Sequence, residues 1–195
     1  MYDTHQPFIT EFAKQSPESL HKVFLLAVCS QNQKFHKLPL IMTKLLYEGE
    51  APELNTRQVR AIEELWHRRE EIYERLRVNW HSWLVPWTED ILEYLISLPS
   101  IGMVKGGFIC QMVFGTAGCL DTHNQVMYSF EHTILRTDCT LGTLRSRIRE
   151  YIQVCERIGS ATLWNTWCTY IAAQYPRYFE NAEQVSELHV KLCLI

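Results

Sequence analysis

Apolar residues recur along this chain every three to four positions, the spacing that places them on one face of an α-helix. One such stripe follows Ser16 and Pro17, a typical helix start. Its members are Leu20, Val23, Phe24, Ala27 and Val28. Further stripes predict helices over residues 38–47, 56–78, 89–98, 125–135 and 181–192, and two more between residues 143 and 175. Signals for strands are nearly absent, so the pattern predicts an all-α fold.

Two predicted helices meet at a tight turn within residues 98–124, which read LPSIGMVKGGFICQMVFGTAGCLDTHN. Pro99 and Gly102 favour the turn, and together the two helices form a hairpin over residues 89–115. The amides from Gly102 to Lys105 begin the second helix and lack partners within it, so they can bind an anion such as a phosphate diester. A loop over residues 116–124 then places Asp121 near the mouth of the hairpin.

This stretch resembles the helix-hairpin-helix DNA glycosylase superfamily. The matching residues are Leu98, Pro99, Ile101, Gly102, Phe114, Gly115, Leu120, Asp121, Thr122 and His123. The resemblance implies one domain over residues 1–195, made of two closely packed helical lobes, with Asp121 as the catalytic acid. Ser100 replaces the first hairpin glycine. Val104 takes the slot of the Schiff-base lysine, and Lys105 follows about a quarter turn away, which argues against lyase chemistry.

In detail, the sequence VKGGF, followed by Gln111 and GCLDTHN, looks most like a phage branch of that superfamily. This branch comprises the alpha-glutamyl/putrescinyl thymine pyrophosphorylases or amino acid:DNA transferases. What this implies is thymine hypermodification: an amino acid or polyamine is attached to an activated 5-hydroxymethyluracil in DNA. A small amine co-substrate and an upstream 5-hydroxymethyluracil DNA kinase are the implied partners besides double-stranded DNA. No cofactor is expected.

Under the transferase hypothesis, Asp121 takes a proton from the incoming ammonium and His123 relays it. Alternatively, His123 is a helix-start histidine bonded to backbone. Lys105 and the backbone amides of the hairpin stabilise the negative charge of the leaving phosphate. The predicted phosphate-binding residues are Ser100, Gly102, Val104, Lys105 and Gly106.

A base or amine pocket is predicted from polar residues around this loop. Gln31, Asn32 and Gln33 follow a buried helix and either reach the flipped base or form a solvated helix end. Gln111 either reads the pyrimidine or lies on the surface. Asn124 either holds a base edge or caps a helix. Both kinds of enzyme must extrude the base from the duplex, because the reacting atoms are inaccessible inside the stack.

Two other functions remain open. Asp121 near the sugar C1′ could support base excision by a monofunctional glycosylase, which needs no lysine. The hairpin could also bind DNA without catalysis. Fold alone does not choose among these.

Two further segments have alternative interpretations. Six arginines between Arg57 and Arg77 alternate with glutamates at three- and four-residue spacing, which favours an internally paired surface over DNA contact. Trp80, Trp83 and Trp87 either pin a connection into the core or stack on a base.

Composition limits the function classes. The net charge of −3 argues against a protein that coats DNA electrostatically. The seven cysteines lack the close spacing of zinc or iron–sulfur ligands, so we expect no metal and mostly buried, reduced thiols. No run is long enough to cross a bilayer, and the first residues do not resemble a signal peptide, so we expect a cytoplasmic protein without membrane contact.

Overall fold

A computed structural model of the protein describes residues 1–80 and 87–195. The α-helices in these ranges are α1 (Tyr2–Ala13), α2 (Pro17–Cys29), α3 (Leu38–Glu48), α4 (Thr56–His67), α5 (Arg69–Arg77), α6 (Trp87–Ile96), α7 (Met103–Phe114), α8 (Thr122–Tyr128), α9 (Leu141–Ile158), α10 (Ser160–Gln174) and α11 (Ala182–Leu194). Short 3-10 helices span Phe35–Lys37 and His132–Leu135. The described residues contain no strand, which confirms the all-α prediction.

Helices α2 and α7 form the centre of the molecule. From Ser19 to Cys29, every residue of α2 except Lys22 is buried, and α7 is buried from Gly106 to Val113. Helices α1, α4, α5 and α11 pack around α2, while α1 and α6 pack against α7. The predicted start of α2 is confirmed, because the Ser16 side chain accepts a hydrogen bond from the Ser19 amide and Pro17 follows it. Burial on all sides explains why apolar residues dominate these two helices.

Two predicted helices are interrupted. The helix predicted over residues 56–78 is divided between α4 and α5 at Arg68, whose φ of −96° and ψ of 6° are not helical. Its apolar period continues across the break because both helices pack against α2. The helix predicted over residues 125–135 instead begins after Asp121 and ends at Ser129, whose left-handed backbone has a φ of 51°. Gly159, with a φ of 91°, ends α9, which is a common position for glycine.

Residues 81–86 of the tryptophan-rich segment lie outside the described residues. At its beginning, the Trp80 ring lies 5.2 Å from the Tyr73 ring and 6.4 Å from the Phe114 ring. Trp80 therefore packs the end of α5 against the end of α7.

Most of the cysteines are buried, as the sequence predicted. Five of the seven cysteines are buried. Among the described helices, none combines the length and the apolar composition needed to span a bilayer.

In the turn between α6 and α7, the left-handed backbone conformation occurs at Ser100 and not at Gly102. Ser100 has the left-handed backbone, with a φ of 59°, although only glycine adopts that region without a steric cost. Gly102 has an extended backbone, with a φ of −96° and a ψ of −176°, so it does not use the positive φ that glycine permits. A Cβ on Gly102 would have no neighbour within 4 Å, so this residue is open to the outside.

Replacing Ser100 with glycine is therefore expected to raise the free energy of unfolding by about 0.5–1 kcal/mol, because the relief of left-handed strain exceeds the added entropy of the unfolded chain. Urea denaturation measures the change. As a control, Ser97→Gly, directly after α6, should destabilise the protein, since Ser97 is not among the residues with positive φ. A loss of stability in both variants would contradict the left-handed assignment.

Candidate functional site

A cavity of about 400 Å³ lies where the C-terminal end of α2, the helix α7, the loop before α8, and the helices α10 and α11 meet. Much of its wall is aromatic: Phe35, Phe108, Trp164, Trp167, Tyr170 and Tyr175. Polar side chains also line it: Ser30, Asn32, Gln33, Lys105, Gln111, Asp121, Thr122, His123 and His189. Apolar walls with a few polar groups are typical of a small-molecule site, and the volume lies in the range for such ligands.

Asp121 is held at the edge of this cavity by its role in starting α8. Its Oδ1 accepts a hydrogen bond from the Asn124 amide at 2.9 Å, which caps the helix. The residue is only partly exposed, and it takes part in none of the ion pairs formed by the described residues. The carboxylate therefore lies beside a cavity and is not neutralised by a partner.

The loop that carries Asp121 is held in place by hydrogen bonds between its backbone and the Tyr151 side chain. The fully buried Tyr151 hydroxyl donates to the Gly118 carbonyl at 2.6 Å and accepts a hydrogen bond from the Leu120 amide at 3.1 Å. Burial raises the pKa of Tyr151 well above its ordinary value, so the phenol remains protonated. The Ser160 hydroxyl donates to the Ala117 carbonyl of the same loop. These bonds define the position of Asp121.

The adjacent glycines of α7 allow this close packing. A Cβ on Gly107 would collide with Tyr151 and with the Gly118 carbonyl, and one on Gly106 would lie 2.7 Å from Leu92. The Gly106 amide donates to the Gly102 carbonyl at 2.8 Å. Gly106, predicted as a phosphate-binding residue, is thus buried in a helix contact, and its amide is not free for an anion.

Lys105 extends into the same cavity as Asp121. Its Nζ donates to Ser30 Oγ at 2.7 Å and lies 5.7 Å from the Phe108 ring centroid. Burial lowers the pKa of the Lys105 ammonium, and the charge of Asp121 opposes that shift. Both Val104 and Lys105 line the cavity. The quarter-turn displacement inferred from the sequence therefore does not remove the lysine from the cavity.

His123 lies on the wall beside Asp121. Its ring stacks on the Tyr170 ring, with centroids 3.7 Å apart and planes 24° from parallel. The His123 Nε2 atom is buried and has no hydrogen-bond partner among the described residues. It is therefore available to a bound ligand.

Of the three polar residues predicted after α2, Asn32 and Gln33 line the cavity and Gln31 does not. Asn32 and Gln33 line the cavity, although the Gln33 side-chain amide also donates to the Glu53 carbonyl at 2.8 Å. Gln31 does not line it. The Gln31 amide donates to the Ser100 carbonyl at 2.6 Å, so this side chain joins the end of α2 to the hairpin turn.

Gln111 and Asn124 are both buried, which corrects the surface alternative for Gln111. Gln111 lines the cavity, but its Nε2 donates to the Ser160 carbonyl at 2.7 Å and its Oε1 accepts from the Cys119 amide at 3.3 Å. Asn124 lies behind the cavity wall and donates to the Cys119 carbonyl at 2.7 Å. Both side chains position the loop, and Asn124 does not reach the predicted pocket.

The part of the cavity wall formed by α10 and α11 was missed by the sequence analysis. Trp164, Trp167 and His189 share helix faces with aliphatic residues, and nothing in their spacing distinguishes a cavity wall from packed interior. The signal in the sequence was a histidine on the buried face of α11, which also carries Ser186. Cys119 also lines the cavity, and burial raises its pKa to about 12, so its thiol is not a nucleophile at neutral pH.

A second, shallower groove adjoins the hairpin turn. It is lined by Arg57 and Arg60 of α4 together with Pro99 and Ser100. The glutamate pairs predicted within this arginine-rich region exist for Arg68, Arg69 and Arg77, and Arg69 also pairs with Glu18 of α2. Arg57, Arg60 and Arg75 are not part of any ion pair among the described residues, so the pairing predicted for the whole stripe is wrong at these three positions.

One group in the described chain has donor atoms close enough for a metal ion: His5, Glu183 and Glu187, whose ligand atoms lie within 4.8 Å of one another. Glu183 already lies 3.9 Å from the Met1 ammonium, and Glu187 lies 3.4 Å from Lys191 Nζ. These ammonium groups therefore balance the charge of the two carboxylates without a metal ion.

Comparisons with protein-family models, with curated proteins and with solved structures found no match for this chain.

Proposed function

We propose that this protein is a DNA base-modifying enzyme with a helix-hairpin-helix glycosylase-like fold, which transfers an amine or amino acid to an activated 5-hydroxymethyluracil flipped into the cavity. The supporting observation is that Asp121 and Lys105 share one aromatic-walled cavity, which is large enough for a nucleobase and lies next to a helical hairpin. Aromatic walls stabilise an extruded base by stacking. The resemblance of residues 98–124 supplies the reaction class.

In the transfer reaction, the amine nitrogen attacks the exocyclic methylene carbon of the base. The new C–N bond forms while the C–O bond to the phosphate or pyrophosphate breaks, and the leaving group takes the electron pair. Asp121 accepts the proton lost from the amine, and the Lys105 ammonium stabilises the negative charge of the leaving group. His123 Nε2, which is buried and unpartnered, can pass that proton onward.

The decisive experiment supplies DNA containing phosphorylated or pyrophosphorylated 5-hydroxymethyluracil with glycine, glutamate or putrescine, followed by digestion to nucleosides and mass spectrometry. A nucleoside with the mass of the amine adduct supports transfer. Abasic sites under the same conditions support excision. Unaltered DNA with every base and amine, but with retained DNA binding, would leave only the binding module and refute both enzymatic functions.

Base excision is the second candidate, and the placement of Lys105 favours it. A neutral lysine amine can attack C1′ of the flipped nucleotide, the bond from C1′ to the base breaks, and the base leaves with the electron pair. The lowered pKa of Lys105 increases its neutral fraction. Opening of the sugar then gives an imine that borohydride reduces to a stable protein–DNA adduct. Excision through water activated by Asp121 would release the base without that adduct.

DNA binding is expected to depend on Arg57 and Arg60. Their double replacement by alanine should weaken binding to duplex DNA about 10- to 100-fold at low salt and reduce the salt-dependence slope by about two, because two phosphate contacts are lost. Fluorescence anisotropy across a salt series measures both quantities.

The matched control is the double variant Arg68→Ala and Arg77→Ala. It changes the net charge equally but removes arginines already paired with Glu71 and Glu74. Equal losses of affinity in both double variants would show that the groove beside the hairpin does not contact phosphate.

A further inference from the structure

The His189 imidazole is held in one tautomer. Its Nδ1 lies 3.0 Å from the Val185 carbonyl oxygen one turn earlier in α11. A carbonyl oxygen can only accept, so Nδ1 carries the proton and donates it. Burial lowers the pKa of His189 to about 3, which keeps the ring neutral under ordinary conditions. The Nε2 atom therefore presents a lone pair and is a hydrogen-bond acceptor.

This acceptor has no protein partner and lies in aromatic surroundings. His189 is fully buried, and Nε2 has no hydrogen-bond partner among the described residues. The ring centroid lies 4.7 Å from that of Phe35, 4.5 Å from Trp164 and 5.2 Å from Trp167. Because Nδ1 is bound to the helix backbone, Nε2 is on the side of the ring away from α11, and His189 lines the cavity. A buried acceptor among apolar rings is costly unless a bound molecule supplies a donor.

A donor stands near this acceptor. Lys105 lines the same cavity, and its Nζ lies 5.7 Å from the centroid of the Phe108 ring, which is itself 5.9 Å from the His189 ring. An acceptor beside a cationic donor complements a ring N–H that adjoins a carbonyl group. A uracil-type base offers that pair at N3 and its neighbouring carbonyl. Cytosine has a lone pair at N3, which would oppose the lone pair of His189 Nε2.

We infer that His189 Nε2 is a specificity determinant that accepts a hydrogen bond from the N3–H group of a uracil-type base in the cavity. This inference rests on the proposed function, since it assumes that the ligand is a flipped base. His189 touches the base but not the reacting methylene, so its replacement alters selection of the base.

Single-stranded oligonucleotides test the inference without interference from base pairing. One carries a single 5-hydroxymethyluracil and the other carries its N3-methyl derivative. The wild-type protein is expected to bind the N3-methyl oligonucleotide about 10- to 100-fold more weakly, because the acceptor is left buried and unpaired. His189→Leu should bind both with nearly equal affinity, since leucine has similar volume and no acceptor. Equal binding of both oligonucleotides by the wild-type protein would overturn the inference.

Nitrogen-15 NMR of the ring nitrogens provides a second measurement, which does not require the variant to fold. The free protein should show a protonated Nδ1 and an unprotonated Nε2, and the Nε2 signal should shift on binding the 5-hydroxymethyluracil oligonucleotide but not its N3-methyl form. A protonated Nε2 in the free protein overturns the inference and leaves the proposed enzymatic function intact. Failure to bind either oligonucleotide would instead count against the proposed function itself.

Discussion

Replacing Asp121 with asparagine is expected to lower the rate of base modification by about 10²- to 10⁴-fold, the usual contribution of general acid–base catalysis. The variant isolates the charge, because Asp121 also caps α8 through Oδ1 and the Asn124 amide. An asparagine side-chain oxygen caps a helix about as well as aspartate does. Folding and DNA affinity should therefore remain close to wild type, while Asp121→Ala should lose both the cap and the activity.

Single-turnover product formation measures the rate, urea denaturation measures stability, and fluorescence anisotropy measures DNA binding. The control is Asp138→Asn, which removes an exposed carboxylate paired with Arg136 at 2.7 Å, outside the residues that line the cavity. Asp138→Asn should retain full activity. An Asp121→Asn protein with wild-type rate would remove that carboxylate from the mechanism.

Replacing Lys105 with methionine is expected to reduce activity by at least about 10²-fold, since electrostatic stabilisation of the leaving group or the nucleophilic amine is lost. The free energy of unfolding should remain the same or increase by about 1 kcal/mol, because an ammonium without an ion-pair partner is removed from a buried position. Its partner Ser30 keeps a hydrogen bond, because Ser30 Oγ also contacts the Ala27 carbonyl at 3.0 Å. Lys191→Met on the surface is the matched control.

Lys105→Arg separates the two reactions. Arginine keeps a positive charge, so transfer should be partly retained, but it cannot form an imine, so borohydride adducts should vanish. The pH dependence has opposite signs in the two cases. A nucleophilic amine must be neutral, so the excision rate should rise with pH and level off below the ordinary lysine pKa of about 10.4, because burial lowers the pKa of Lys105.

In transfer, Lys105 acts as a cation. The rate should therefore fall as pH rises through the same lowered pKa. A rate that is independent of pH across this region in both assays would show that the protonation state of Lys105 does not matter, and would contradict both assigned roles.

Helix positions were predictable where a single capping side chain or a clear apolar period of three to four residues determines them. Ser16 with Pro17 begins α2, Gly159 ends α9, and the apolar periods indicate which faces are buried. Breaks inside a continuous apolar period were not predictable. The stripe from Thr56 to Leu76 remains in phase across Arg68 because both helices pack on α2, and that packing is a tertiary property.

The candidate site shows the same division. The loop predicted over residues 116–124, with Asp121 in it, was recognisable as a motif, and the sequence indicated a lysine in the preceding helix. Whether Lys105 reached the site depended on the position of α7 relative to the loop, which Gly107 and Tyr151 determine by contact. The sequence also suggested Gln31 and Asn124 as pocket residues, but backbone carbonyls at Ser100 and Cys119 occupy their amides.

The sequence by itself determined the helical class, the start of α2 and the motif that contains the acid, because these depend on local periodicity and on contacts between residues a few positions apart. Only the tertiary structure decided that the aromatic rings of α10 and the imidazole of His189 surround a cavity with Lys105 and Asp121. The physical reason is that a buried apolar face looks the same in sequence whether it packs against another helix or borders an internal space.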